Sequence, residues 1–250
     1  MENIWIFMKK VSIITTTYND SAALRKTIQQ VEAQDYPNIE YIIVDGGSTD
    51  DTLEVINEAK EIFGEKLVWI SEKDKGIYDA INKGLKLCTG DYIGTCFDQF
   101  AGNDVISKMV AVMEKEGTDG VHGDLNYMDG EKVVRKWRQG QGNIRSGWMP
   151  GHPTLYLKKE VYDKYGVYKT DYRISADYEY MIRILKDGEV KLSYIPEVLI
   201  KMAHGGTSTN SLGAYLEGMK EGHRALRENG VKFAFVTDLL RTLRVLRQFV

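Results

Sequence analysis

Two aspartates end apolar runs: Asp45 after "IEYIIV" and Asp98 after "DYIGTCF". A third, Asp177, opens a helical pattern in "RISADYEYMIRIL". Other groups with binding chemistry stand in similar places. "TTTYND" sets Thr16 and Tyr18 just past a β-branched run, where hydroxyls and backbone can hydrogen-bond a base and a ribose; a helix N-cap with a polar turn explains the same residues. Asp45 precedes Gly46-Gly47-Ser48. A carboxylate there can accept the N3 hydrogen of uracil or thymine, and glycines let a backbone approach closely. A plain turn accounts for the glycines without requiring the acid. "DKGIYDAINKG" places Lys75 and Gly76 ahead of a helix, a cation and amides suited to phosphate oxygens, although a solvated loop lysine is the alternative. Asp79 and Asn82 lie one helical turn apart and can share a face. Asp104 suits the cap of the helix that follows "FAGN", and Asp177 at a helix start favours the helix dipole.

These side chains need elements to hold them. Strands are expected over Lys10–Thr16, Ile39–Val44, "LVWISE" and Asp91–Phe97, with helices over Ser21–Gln34, Thr52–Phe63 and Tyr78–Leu87. The alternation implies an α/β fold, a doubly wound and mostly parallel sheet flanked by helices. In such sheets ligands collect beyond the carboxyl ends of the strands, near a switch in strand order. Thr15–Asn19, Asp45–Thr49, Glu72–Gly76 and Asp98 all fall at strand ends. That coincidence is the strongest physical pointer in the chain.

After a helix near Val105–Glu116, a hairpin is expected at Asp129-Gly130. "QGQGNIRSGWMPG" reads as a glycine-rich loop in which Trp148 either stacks on a sugar or anchors the loop. A strand near Thr154–Leu157 and helices over Lys159–Tyr165 and Asp177–Lys186 follow, all in one domain. Residues 211–250 form a C-terminal helical segment. Its Phe235, Leu239, Leu240, Leu243 and Leu246 alternate with Arg241, Arg244 and Arg247, a basic amphipathic pattern that suits a membrane surface, the domain itself or a second subunit.

The net charge of -3 argues against general nucleic-acid binding. Cys88 and Cys96 sit in apolar surroundings without metal-ligand spacing and fit a reducing, cytoplasmic compartment. No apolar run reaches the ~18 residues of a membrane span. "MENIWIFMKK" lacks a signal-peptide pattern, so residues 1–9 are read as an extension before a natural start near Met8.

Four segments, "VSIITTTYND", "EYIIVDGGSTDDT", "SEKDKGIYDAINKGLKLCTGDYIG" and "ISADYEYMIRI", resemble family 2 glycosyltransferases in order and spacing, from Val11 to Ser208. The resemblance implies the GT-A fold, with a nucleotide-binding half over residues 10–104 and an acceptor half over 105–210. It implies an inverting enzyme that moves a sugar from a nucleotide diphosphate, UDP or dTDP favoured, to a glycan or lipid-linked acceptor in polysaccharide biosynthesis. Thr16, Tyr18 and Asp45 would line the base pocket. Lys75, Gly76, Asp79 and Asn82 would face the nucleotide, and Asp177 would be the general base, with Glu179 on a different helix face.

Relatives usually end the fourth strand with two acids that touch ribose and a divalent ion, Mn²⁺ or Mg²⁺. Here Asp98 is the only one: Gln99 replaces the second acid or Phe97 the first, depending on the direction of counting. One carboxylate is compatible with Mg²⁺, which often relies on substrate phosphates and water. Peripheral membrane contact and a homodimer are further expectations. His152 and His204 could approach the diphosphate. A non-catalytic nucleotide-sugar-binding subunit is the rival reading. A sugar nucleotidyltransferase is disfavoured, because "TTTYNDSA" lacks the glycine of a triphosphate loop.

Overall fold

In the computed structural model, which describes residues 8–203, 212–246 and 248, the first hundred residues alternate strand and helix. The order is β1 (Val11–Thr17), α1 (Ser21–Glu32), β2 (Ile39–Asp45), α2 (Thr52–Phe63), β3 (Leu67–Ser71), α3 (Ile77–Leu87) and β4 (Tyr92–Thr95). β1 pairs in parallel with β2 on one edge and β4 on the other, and β2 pairs in parallel with β3. Strand order therefore reverses at β1, the kind of switch point past whose carboxyl end such sheets bind ligands.

β5 (Gln99–Phe100), α4 (Val105–Glu116), β6 (Gly120–Asp129), β7 (Lys132–Trp137), β8 (Tyr156–Lys158), α5 (Lys159–Tyr165), α6 (Ala176–Leu185), β9 (Leu192–Ala203), α7 (Leu212–Glu228) and α8 (Ala234–Leu246) complete the order. Together the strands make one mixed sheet, β3-β2-β1-β4-β8-β6-β9-β5, with β7 on β6. β8 runs antiparallel to β4 and β6, whereas β9 runs parallel to β6. The one sheet thus has a parallel half and a mixed half.

Every residue of β2 is buried, as a parallel strand covered on both faces requires. Successive side chains alternate between layers. Ile13, Tyr41 and Ile43 join one core with Ile56 and Met109, while Ile14, Ile42 and Val44 join the other with Ile81 and Tyr180. Asp20 caps α1 by accepting from the Ala23 amide at 3.0 Å. Asp104 occupies the position before α4 but makes no capping bond; Lys108 draws its carboxylate to 3.1 Å instead. The hairpin forms where expected, with Gly130 at φ +56 and Asp129 opposite Lys132.

Met8 and Lys9 are already tied to the fold. The Met8 carbonyl accepts from the Asn38 amide at 2.7 Å, and the Lys9 ammonium pairs with Asp91 at 3.0 Å. The rest of the expected extension, together with His204, lies outside the described residues.

Candidate active site

The parallel half supplies the first wall. Thr16 and Thr17 end β1 opposite Val44 and Asp45. Tyr18 follows, 63% exposed. It flanks Gly46, where an added Cβ would meet the Asp74 carboxylate at 2.6 Å and the Tyr18 ring at 3.2 Å. Asn19, held at φ +50, donates its amide to Ser48 and accepts from the Thr49 amide, so the loops after β1 and β2 are stitched together. Asp45 is fully buried. Its carboxylate accepts from the Ser48 amide, the Ser48 hydroxyl at 2.5 Å and the Ser71 hydroxyl at 2.6 Å. It organises its own turn and ties the ends of β2 and β3.

At the start of α3, the Lys75 amide donates to Asp79 at 3.0 Å and the Gly76 amide to Asp74 at 2.8 Å. Gly76 sits at φ +119, a conformation that glycine adopts without strain. The exposed Lys75 ammonium has no carboxylate partner among the described residues. Asn82 is buried and points elsewhere. Its amide donates to the Tyr168 carbonyl at 2.7 Å and accepts from the Tyr168 amide at 3.0 Å. Asp79 and Asn82 thus do not share a ligand-facing surface in this geometry: Asn82 clamps α3 to the segment before α6.

The end of β4 and the mixed half supply the second wall. Asp98 lies just past β4, two strands from Asp45 and so about 10 Å away in sheet spacing. Burial pushes its carboxyl up to about 6, opposed by a hydrogen bond from the Ala203 backbone. Asp177 is the second residue of α6, and its carboxylate takes a hydrogen bond from the Tyr78 hydroxyl at 3.0 Å. Three amides ahead of α6, those of Arg173, Ile174 and Ser175, all donate to Glu221 of α7, at 2.7, 2.9 and 2.8 Å. A different acid therefore holds this turn, which leaves the Asp177 carboxylate available to a ligand. Glu179 faces away, as expected: it is buried and paired with Arg183 at 2.8 Å and Lys169 at 3.1 Å.

Tyr127 of β6 lies within electrostatic reach of both Asp98 and Asp177, and burial with these two charges raises its phenol. His152 bonds the Tyr168 hydroxyl at 2.9 Å; burial lowers it, against the pull of Asp177. Asp98 and Asp177 both act on Tyr127, and Asp177 also acts on His152, so these four side chains lie in one electrostatic neighbourhood. Trp148 is the loop anchor of the two roles considered. It is buried, donates to the Gln139 carbonyl at 2.9 Å and meets the His122 ring edge-on.

Among the described residues no group of three or more His, Cys, Asp or Glu could hold a metal ion. An ion at Asp98 would need ligand phosphates and water to complete its shell, which is ordinary for Mg²⁺. Tyr78, Tyr127 and Glu221 escaped the sequence reading. Tyr78 had one available signal, its place beside Lys75-Gly76 at the start of α3. Nothing local in the sequence marks Glu221, because its partners lie 46–48 residues away.

The description "Glycosyl transferase family 2" matches residues 12–174. A PGL/p-HBAD biosynthesis glycosyltransferase of Mycobacterium bovis is 28% identical over 210 residues, covering 80% of this chain and 79% of that one. An uncharacterized glycosyltransferase of Mycobacterium tuberculosis is 30% identical over 191 residues, 69% of this chain and 68% of that one. The solved structure of S. aureus TarS superposes with a TM-score of 0.70 at 15% identity, over 94% of this chain and 71% of that one. A mannosyltransferase from Pyrobaculum calidifontis, solved in complex with GDP-Man and Mn²⁺, gives 0.69 at 15% identity, over 95% and 71%. TarS has also been solved with UDP and with UDP-GlcNAc. At such identity the two structures share the fold.

Proposed function

The chain belongs to glycosyl transferase family 2, and from that premise we propose that it is an inverting enzyme with Asp177 as general base. The donor in this reading is a nucleotide-diphosphate sugar and the acceptor a hydroxyl of a glycan or lipid-linked glycan. The acceptor oxygen bonds to the anomeric carbon as the bond from that carbon to the diphosphate breaks. The hydroxyl proton passes to Asp177, and the electron pair leaves with the nucleoside diphosphate. The observation that supports this reading is that Glu221, not Asp177, holds the turn before α6, while the Tyr78 hydroxyl reaches the Asp177 carboxylate at 3.0 Å.

Thr16, Tyr18 and Asp45 form the base side of the donor site, and Lys75 with the Gly76 backbone the phosphate side. Asp45 already accepts from Ser48 and Ser71, so recognition of a uracil or thymine N3 hydrogen requires exchange of one of those hydroxyls. Asp98 would hold the divalent ion, Mn²⁺ or Mg²⁺. When bound, such an ion supplies positive charge against the departing diphosphate. The complexes of the two fold neighbours, with UDP-GlcNAc and with GDP-Man and Mn²⁺, support a nucleotide sugar and an ion at these strand ends.

The reading also includes a cytoplasmic protein that docks on a membrane through α8, rather than one that pairs through it. No described helix is long and apolar enough to cross a bilayer. Phe233 and Phe235 are 81% and 74% exposed, and Phe233 is held at φ +59, a costly conformation for a bulky residue.

A thermal-shift series with UDP-, dTDP- and GDP-sugars, with Mn²⁺ or with chelator, tests the donor assignment. One class is expected to stabilise the fold in the presence of ion, by about 2.7 kcal/mol at 100-fold excess over Kd. No shift with any nucleotide sugar would overturn the reading.

A further inference from the structure

α8 has two unlike faces. Its inward side, with Arg241 and Val245, closes a cavity of about 930 Å³ against β7, the loop around Trp148, and α7. Five cations line that cavity, Arg135, Lys136, Arg138, Arg241 and Arg244, and among the described residues no aspartate or glutamate does. In a chain whose net charge is -3, such a concentration is a built feature. Arg138 meets Asp124 at 3.4 Å and Arg241 faces Asp238 at 3.7 Å. Arg244 donates to the Ser146 carbonyl at 3.0 Å, and neither it nor Lys136 has a carboxylate partner among the described residues. At the mouth stand Tyr215 and Met219, 50% and 41% exposed.

Two side chains of this cavity reach toward the residues proposed for catalysis. Arg241 stacks on the ring of Tyr178, the neighbour of Asp177, at 4.3 Å. Arg135 stacks at 4.4 Å on Tyr127, which senses both Asp98 and Asp177. The outward side of α8 is apolar: Phe235, Leu239 and Leu243, four residues apart, are 74%, 51% and 47% exposed. A helix is about 10–12 Å across. The cavity cations therefore lie roughly one helix diameter above a surface suited to the acyl boundary, at the depth of lipid phosphates.

We propose that this cavity is the acceptor site and binds the phosphate of a membrane-held lipid phosphate. Lys136 and Arg244 neutralise the anion, and Tyr215 and Met219 cover its apolar stem. The proposal rests on the glycosyl-transfer reading for its link to Asp177.

The test uses the full chain and calorimetric titration with n-decyl phosphate, n-decanol and glucose 6-phosphate, each with and without saturating UDP. Decyl phosphate is expected to bind whether or not UDP is present, and more tightly than either partial probe. Changing both Lys136→Gln and Arg244→Gln should weaken it by about tenfold or more, since charge-assisted bonds to phosphate are the strong ones. The charge-keeping pair Lys136→Arg and Arg244→Lys should restore most of that loss. Equal binding of decanol, equal binding of glucose 6-phosphate, competition by UDP, or an unchanged double glutamine variant would each overturn the site. Failure of every nucleotide sugar to bind the wild type would instead remove the glycosyl-transfer reading and leave the phosphate measurement standing.

Discussion

The ends of β2 and β4 carry the same residue in opposite states. Asp45 has no exposed surface, yet its carboxylate has three donor groups, the Ser48 amide and the hydroxyls of Ser48 and Ser71. Asp98 is partly buried, with one backbone donor among the described residues, that of Ala203, and burial pushes its carboxyl up to about 6. Burial alone disfavours a charge, while burial with donors sustains it. Asp45 is complete within the fold. Among the described residues Asp98 has no cationic partner, as a carboxylate awaiting a cation would not.

The largest effect should come from the third aspartate. Asp177→Asn keeps the shape of α6, whose leading amides Glu221 holds, and should lower transfer by about 10²–10⁴-fold while donor binding persists. Single-turnover rates beside donor titrations check this, and near-normal turnover would remove Asp177 as base. Next comes Asp98→Asn. The folded-state value of Asp98 lies above its ordinary 3.8, so its contribution to stability is full below about 4 and is lost as pH rises through about 6. The variant lacks that loss. Without metal it should melt at or above the wild type at pH 7.5, match it near pH 4, and gain nothing from Mn²⁺ with donor. Asp45→Asn should do the reverse. It opposes the Ser48 amide with an amide and should cost roughly 1–3 kcal/mol in denaturant unfolding, with or without metal. If both asparagine variants destabilise the metal-free protein alike, the contrast between the two strand ends is false.

The parallel half was legible because its chemistry is local. Helix α2 runs over Thr52–Phe63 as its spacing requires, and the clusters around Thr16, Asp45, Lys75 and Asp98 all lie at or past the carboxyl ends of the parallel strands β1 to β4. The mixed half was less legible. β9 went unrecognised because Pro196 interrupts it and its register against β6 jumps from Ile195 to Val198, which breaks the alternation that marks a strand. The basic cavity was hidden for a similar reason: Lys136 and Arg244 are 108 positions apart and meet only once α8 folds back on β7. Asn82 shows the converse. Its spacing from Asp79 suggested a shared face, and the backbone of Tyr168 claims it instead.

The smallest expected effect sharpens the contrast at Asp177 itself. The Tyr78 hydroxyl stands 2.6 Å from the Ile174 carbonyl and 3.0 Å from the Asp177 carboxylate, and it has one hydrogen for two acceptors. While Asp177 is ionised, that hydrogen can serve either partner. Once Asp177 holds a proton, the carboxyl can donate to the Tyr78 oxygen while Tyr78 donates to Ile174, with no heavy atom moving. Tyr78→Phe keeps the ring that stacks on Tyr168 at 5.9 Å but removes this exchange. One hydrogen bond is worth about 0.5–1.5 kcal/mol, so kcat should fall by up to about tenfold with the donor KM unchanged. A Tyr78 that only braced Ile174 would lower the melting temperature and leave kcat in place.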